Sequence, residues 1–92
     1  MARKPTTLRK QTFHITAPDA RTVLLAGDFT DWQQRAIPLQ RGTNGVWTVT
    51  VRLAPGDYNY LFIVDSAWCD DPECAVRVLN PYGGQNMVRT VP

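Results

Sequence analysis

The chain has 92 residues, 43% hydrophobic and 20% charged, which supports one domain around one modest core. No apolar run approaches the roughly 18 to 20 residues of a membrane span, and MARKPTTLRK is followed by no apolar stretch, so it does not read as a secretory signal; a cytoplasmic protein is the default expectation. The net charge of +2 comes from the start of the chain: without Arg3, Lys4, Arg9 and Lys10 the remainder is net −2. That leaves no basic stripe for nucleic acid, and residues 1-9 are expected to form a basic, flexible tail ahead of a single domain at 10-92.

From residue 10 the dominant signal is a period of two. KQTFHIT, residues 10-16, places Phe13 and Ile15 opposite Thr12, His14 and Thr16 and predicts a first strand. APDA turns, and TVLLAGDF supplies a short apolar strand that stops at Gly27-Asp28. The segment FTDWQQRAIPLQ then leaves Trp32 in a polar loop, outside any alternation. In VWTVTVRL, Trp47, Val49, Val51 and Leu53 share one face while Thr48, Thr50 and Arg52 share the other. Trp47 is thereby assigned to the core. APGD at 54-57 reads as a tight turn, with Pro55 presetting φ and Gly56 free to take a positive φ, so residues 46-65 are expected to form a β-hairpin ending in YNYLFIVD. Tyr58 and Tyr60 read as core or rim aromatics whose hydroxyls go to backbone rather than to a ligand. A second turn at DSAW puts Trp68 beyond the last strand of that hairpin. DDPECAVRVLNPYGG is irregular, with a short strand at 75-78, Asp71-Pro72 initiates a turn, and Asn86-Val91 is the final strand. About seven short antiparallel strands with such turns predict an all-β sandwich.

The residues offer little for catalysis or metal binding. His14 is the only histidine, lies on the outer face of the first strand and has no evident nucleophile beside it. Asp70 and Asp71 are adjacent, which does not space two carboxylates across a scissile bond. Cys69 and Cys74 lack a second ligand pair for zinc and the C-x-x-C spacing of a redox motif. They read as two free thiols, with a local disulfide as the alternative. No cofactor and no metal are expected.

The motifs VLLAGDFTDW, IPLQ, GVWTVTVRLAPGDYNYLFIVDSAW, DDP and GGQNMV, in this order, carry the patterns G-D-F-x-x-W, L-x-P-G-x-Y-x-Y-x-F-x-V-D and W-x-D-D-P. Over residues 10-91 the chain resembles the early-set domains of carbohydrate-binding module family 48, among them the glycogen-binding domain of the AMP-activated protein kinase β subunit and the N-terminal domains of isoamylases and branching enzymes. The resemblance implies an immunoglobulin-like, early-set β-sandwich. It also implies a non-catalytic domain that binds α-1,4-glucan (glycogen, starch, maltooligosaccharides) on one face through two tryptophans.

Those residue types suit the chemistry. A glucose ring presents a face of C–H groups and a rim of hydroxyls, so its receptor needs flat aromatics for the face and planar donor-acceptor groups for the rim. Trp32 matches the first stacking tryptophan of the family and Trp68 the second. Leu61 stands where the kinase-type domains place a lysine that reaches the sugar hydroxyls; on the opposite side of its strand from Tyr60 and Phe62, it would form an apolar floor. In the closing NPYGGQN loop, Tyr82 would cover the edge of a ring and Gln85 or Asn86 would supply an amide, the register leaving both in play. The missing lysine also motivates an alternative, a regulatory or structural module whose sheet edge and basic tail contact an enzyme partner, with weak or lost sugar binding.

Overall fold

The computed structural model describes residues 7–80 and 83–92. The first six residues of the expected tail, and Tyr82 of the closing loop, lie outside the described residues.

Among the described residues nine strands build two antiparallel sheets: β1 (Arg9–Thr16), β2 (Val23–Gly27), β3 (Ile37–Pro38), β4 (Gln40–Arg41), β5 (Val46–Leu53), β6 (Gly56–Val64), β7 (Ala67–Cys69), β8 (Arg77–Leu79) and β9 (Gln85–Val91). The smaller sheet has the order β1-β5-β4, and the larger β3-β2-β6-β9-β8, with β7 pairing β6 beside β9. Among the described residues there is no α-helix, only three short 3-10 turns. The architecture is an all-β, immunoglobulin-like early-set sandwich.

The alternation read in the sequence is what fills the space between the sheets. Phe13 and Ile15 of β1, Trp47 and Leu53 of β5, Val23 and Leu25 of β2, Tyr60 and Phe62 of β6 and Met87 and Val91 of β9 form one buried cluster. Fully buried side chains such as Phe13, Leu25 and Phe62 each contribute roughly 1.5–3 kcal/mol relative to exposure. The Trp47 indole N–H donates to the Ala17 carbonyl at 3.0 Å, so the polar end of this core residue has its partner.

Three expectations need correction. Residues 46-65 do not form a hairpin. β5 pairs with β1 and β4, whereas β6 pairs with β2, β7 and β9, so the chain at 54–55 arches from one sheet to the other. The cause is that β5 and β6 both turn large apolar side chains inward, and these stack face to face across the core rather than lying edge to edge. Gly56 takes the positive φ of 150° foreseen for it, and the Tyr58 hydroxyl closes the bend by donating to the Ala54 carbonyl at 2.8 Å.

Second, Trp68 does not lie in a turn but in β7, opposite Ile63 of β6. The two-residue loop Asp65-Ser66 has φ of 47° and 71°, the double positive φ that matches the twist of a tight hairpin. Third, the strand expected at 75-78 is Arg77–Leu79, and the strands number nine rather than about seven, because β3, β4 and β7 are too short to show a period.

Candidate functional site

Gly27 ends β2 where the chain must pass close to β6: a Cβ there would lie 2.4 Å from the Asn59 carbonyl oxygen. The next residue, Asp28, accepts the Asn59 N–H at 2.8 Å, which pins the following loop to the sheet. Thr30 is buried at 2% exposure. Its Oγ1 accepts the Gly27 N–H at 2.9 Å and donates to the Trp32 carbonyl at 2.8 Å. Asp31 and Trp32 both hold positive φ, 50° and 55°, a conformation that costs a non-glycine residue on the order of 1–3 kcal/mol. The Thr30 clamp fixes this turn, and Trp32–Arg35 then forms a short 3-10 turn that holds the Trp32 ring over the outer face of the larger sheet.

Trp68 comes from the other side. The β6–β7 hairpin is anchored by Asp65, whose carboxylate accepts the N–H of Arg21 at 2.8 Å and of Thr22 at 2.9 Å. Those bonds, Thr22 first and Arg21 second, hold the Asp65 carboxyl below the ordinary 3.8 of an aspartate. A depressed folded-state pKa stabilises the fold above the unfolded value, and that contribution disappears as pH falls through the folded value. In acid melts the stability advantage of the native chain over Asp65→Asn is therefore expected to be full above about pH 4 and to shrink below it; a pH-independent difference would count against the anchor.

The two indoles meet edge to face, with centroids 6.3 Å apart and planes inclined at 61°. Trp32 is half-buried and Trp68 is 51% exposed. They line an open groove together with Leu61, Asp70, Asn80, Gln85 and Asn86. Leu61, 9% exposed, lies on the opposite side of β6 from Tyr60 and Phe62, as expected, and lines the groove. Asn86 is likewise 9% exposed, and its Oδ1 accepts from the Asn80 side chain at 3.2 Å. Asn80 Oδ1 in turn accepts the Gly84 N–H at 3.0 Å, and Gly83 turns the loop with a φ of 88°. Gln85 is exposed, and both candidate amides reach the groove.

The structure thus brings Trp32, Trp68, Leu61, Gln85 and Asn86 together. Gln33, Gln34, Asp31, Asp70 and Asn80 also line the groove and were not read from the sequence as binding residues. The run WQQ was the available signal for the first two, since carboxamides directly after a loop tryptophan share its surface. The rim acids have cationic neighbours: Asp70 pairs with Arg77 at 3.0 Å and Asp31 with Arg35 at 3.8 Å.

On the core side of the same strand, Tyr60 departs from expectation. Its hydroxyl donates not to backbone but to Asp71 Oδ2, at 2.7 Å. Burial first, and that hydrogen bond second, push the phenol far above its ordinary range. Asp71 also accepts the Glu73 N–H at 3.0 Å, while its carbonyl accepts the Cys74 N–H at 3.1 Å, so the turn at Asp71-Pro72 is present as read. His14 is exposed and paired with Glu73. Cys69 and Cys74 are both free, half-buried thiols.

A sandwich whose outer sheet face carries two indoles, an apolar floor and a rim of carboxamides has the surface of a carbohydrate-binding module. The sequence pattern of the family described as the glycogen recognition site of AMP-activated protein kinase matches residues 11–91, and the chain belongs to that family. It is 38% identical over 79 residues to a 1,4-alpha-glucan branching enzyme GlgB of Synechococcus sp. (strain JA-3-3Ab), a match covering 84% of this chain and 10% of that protein. It is 40% identical over 53 residues to protein PTST homolog 2, chloroplastic, of Arabidopsis thaliana and to protein FLOURY ENDOSPERM 6, chloroplastic, of Oryza sativa subsp. japonica, each match covering 58% of this chain and 10% of the relative. The chain spans about a tenth of the length of the curated relatives it matches.

Proposed function

We propose that this domain binds α-1,4-glucan of the glycogen or starch type, without catalysing its turnover, by stacking glucose rings on Trp32 and Trp68. The observation that carries the reading is the pair of inclined indoles 6.3 Å apart in a groove that carboxamides also line. An α-1,4-linked chain curves, so two aromatics set at an angle can each take a different ring. Leu61 offers an apolar floor to the C–H faces in place of a lysine's hydrogen bonds, and Gln85 and Asn86 meet the hydroxyl rim. Asp70 and Asp71 have separate structural partners, Arg77 and Tyr60, so this adjacent pair is held in structural bonds rather than placed across a glycosidic bond.

A shallow groove buries little of its ligand and must offset the freedom that a flexible glucan loses. The expected affinity is micromolar to millimolar, roughly 4 to 8 kcal/mol. The test is an NMR titration with maltoheptaose that follows the tryptophan indole signals. Those of Trp32 and Trp68 are expected to move while that of Trp47, buried and bonded to Ala17, stays in place. If no indole signal moves at millimolar sugar, the reading fails.

A second reading, contact with an enzyme partner, is favoured by one observation: Leu79 at the β8 edge is 81% exposed. Leu79 is not among the residues that line the groove. In this reading Leu79→Asp abolishes co-elution with an α-glucan branching enzyme and leaves maltoheptaose affinity unchanged; wild-type protein that never co-elutes removes the case for it.

A further inference from the structure

We infer that the glucan-binding surface continues past Asn86 onto the edge strand β8, where Val78 forms a further apolar platform for chains longer than the tryptophan groove can hold. This rests on the glucan reading above. Ala26 pairs with Leu61 across β2 and β6. Tyr60 pairs with Met87 across β6 and β9, so in the same antiparallel register Leu61 and Asn86 are neighbours on the other face. Val78 pairs with Asn86 across β9 and β8. Ala26, Leu61, Asn86 and Val78 therefore form one row across the outer face of the sheet.

Adjacent strands are about 4.8 Å apart, which sets Val78 roughly 10 Å from Leu61. A pyranose ring is about as wide as a strand spacing, so a glucan laid across the strands reaches Val78 shortly after leaving the groove. Val78 is 40% exposed, and β8 is the last strand of its sheet, so among the described residues no neighbouring strand stands in the way. Edge strands are commonly guarded by a long charged side chain. Here the adjacent Arg77 is turned to other partners, with its guanidinium on Asp70 and on the Cys74 and Asp71 carbonyls at 3.0 to 3.3 Å. The methyl groups of Val78 are left open to the C–H face of a sugar.

The test compares maltotriose, short enough to stay on the tryptophans and Leu61, with maltoheptaose, long enough to reach β8. Val78→Ser is expected to weaken maltoheptaose binding about fivefold, as the loss of roughly 40 Å² of apolar contact gives, and to leave maltotriose binding unchanged. Val78→Trp, which keeps a strand-compatible side chain and enlarges the platform, is expected to tighten maltoheptaose binding alone. If both variants bind maltoheptaose as the native chain does, or shift the two sugars equally, the extension is wrong while the groove stands. If the native chain binds neither sugar, the groove reading falls and the extension with it.

Discussion

Replacing Trp68 with alanine is expected to weaken maltoheptaose binding by at least tenfold while changing the stability of the domain by no more than about 1 kcal/mol. The asymmetry follows from where the ring stands: Trp68 is 51% exposed, meets Trp32 edge to face and lies outside the buried core cluster. Trp32 gives a sharper version of the same test. Its backbone is held at a φ of 55°, which glycine adopts without strain. Trp32→Gly is therefore expected to be no less stable than the native chain, because the relieved strain offsets the lost ring contact, and yet to lose glucan affinity to the same degree as Trp68→Ala. A tryptophan that served as a lid on the core would behave in the opposite way, destabilising the domain strongly when removed. Thermal melts and isothermal titration on the same two variants separate the cases.

How much of this was legible beforehand depended on the range of the interaction. The alternation of Trp47, Val49, Val51 and Leu53 is local, and it placed β5 and its core face correctly. The same local reading failed at residues 46-65, because a short Pro-Gly connection looks alike whether two strands pair side by side or arch between sheets. That choice is made by Phe13, Met87 and the other inward side chains far away in sequence. β7 was missed for a related reason: three residues carry no period, and Trp68 joins a strand only because Asp65 ties the hairpin to Arg21 and Thr22. The groove residues were readable through the family resemblance, at Trp32, Trp68, Leu61 and the Gln85-Asn86 pair. The support beneath them was not. Nothing in FTDW marks Thr30 as the buried clamp on a left-handed turn, since a threonine in a polar loop reads as a solvated one.

Asp71 is the strongest case of such hidden support, and its removal is expected to give the largest loss of stability. The carboxylate is 6% exposed and receives the hydroxyl of Tyr60, itself 1% exposed. Asp71→Ala strands that buried hydroxyl and releases the part-buried Glu73 N–H, together at about 2–3 kcal/mol. In a domain of this size that lowers the melting temperature by roughly 8 to 24 °C. Asp71→Asn, whose amide oxygen still accepts, is expected to lose clearly less. Tyr60→Phe combined with Asp71→Ala is expected to cost less than the sum of the single changes, because each single change leaves the other's partner unpaired. Glucan affinity, measured well below the melting point, is expected to be unchanged in all of them. The reason lies in the parity of one strand: Tyr60 and Phe62 of β6 face the core that Asp71 secures, and Leu61 faces the groove. If Asp71→Ala weakened glucan binding as much as it weakened the fold, the two faces of β6 would not be separable, and the groove would depend on the loop 69–76 rather than on the sheet.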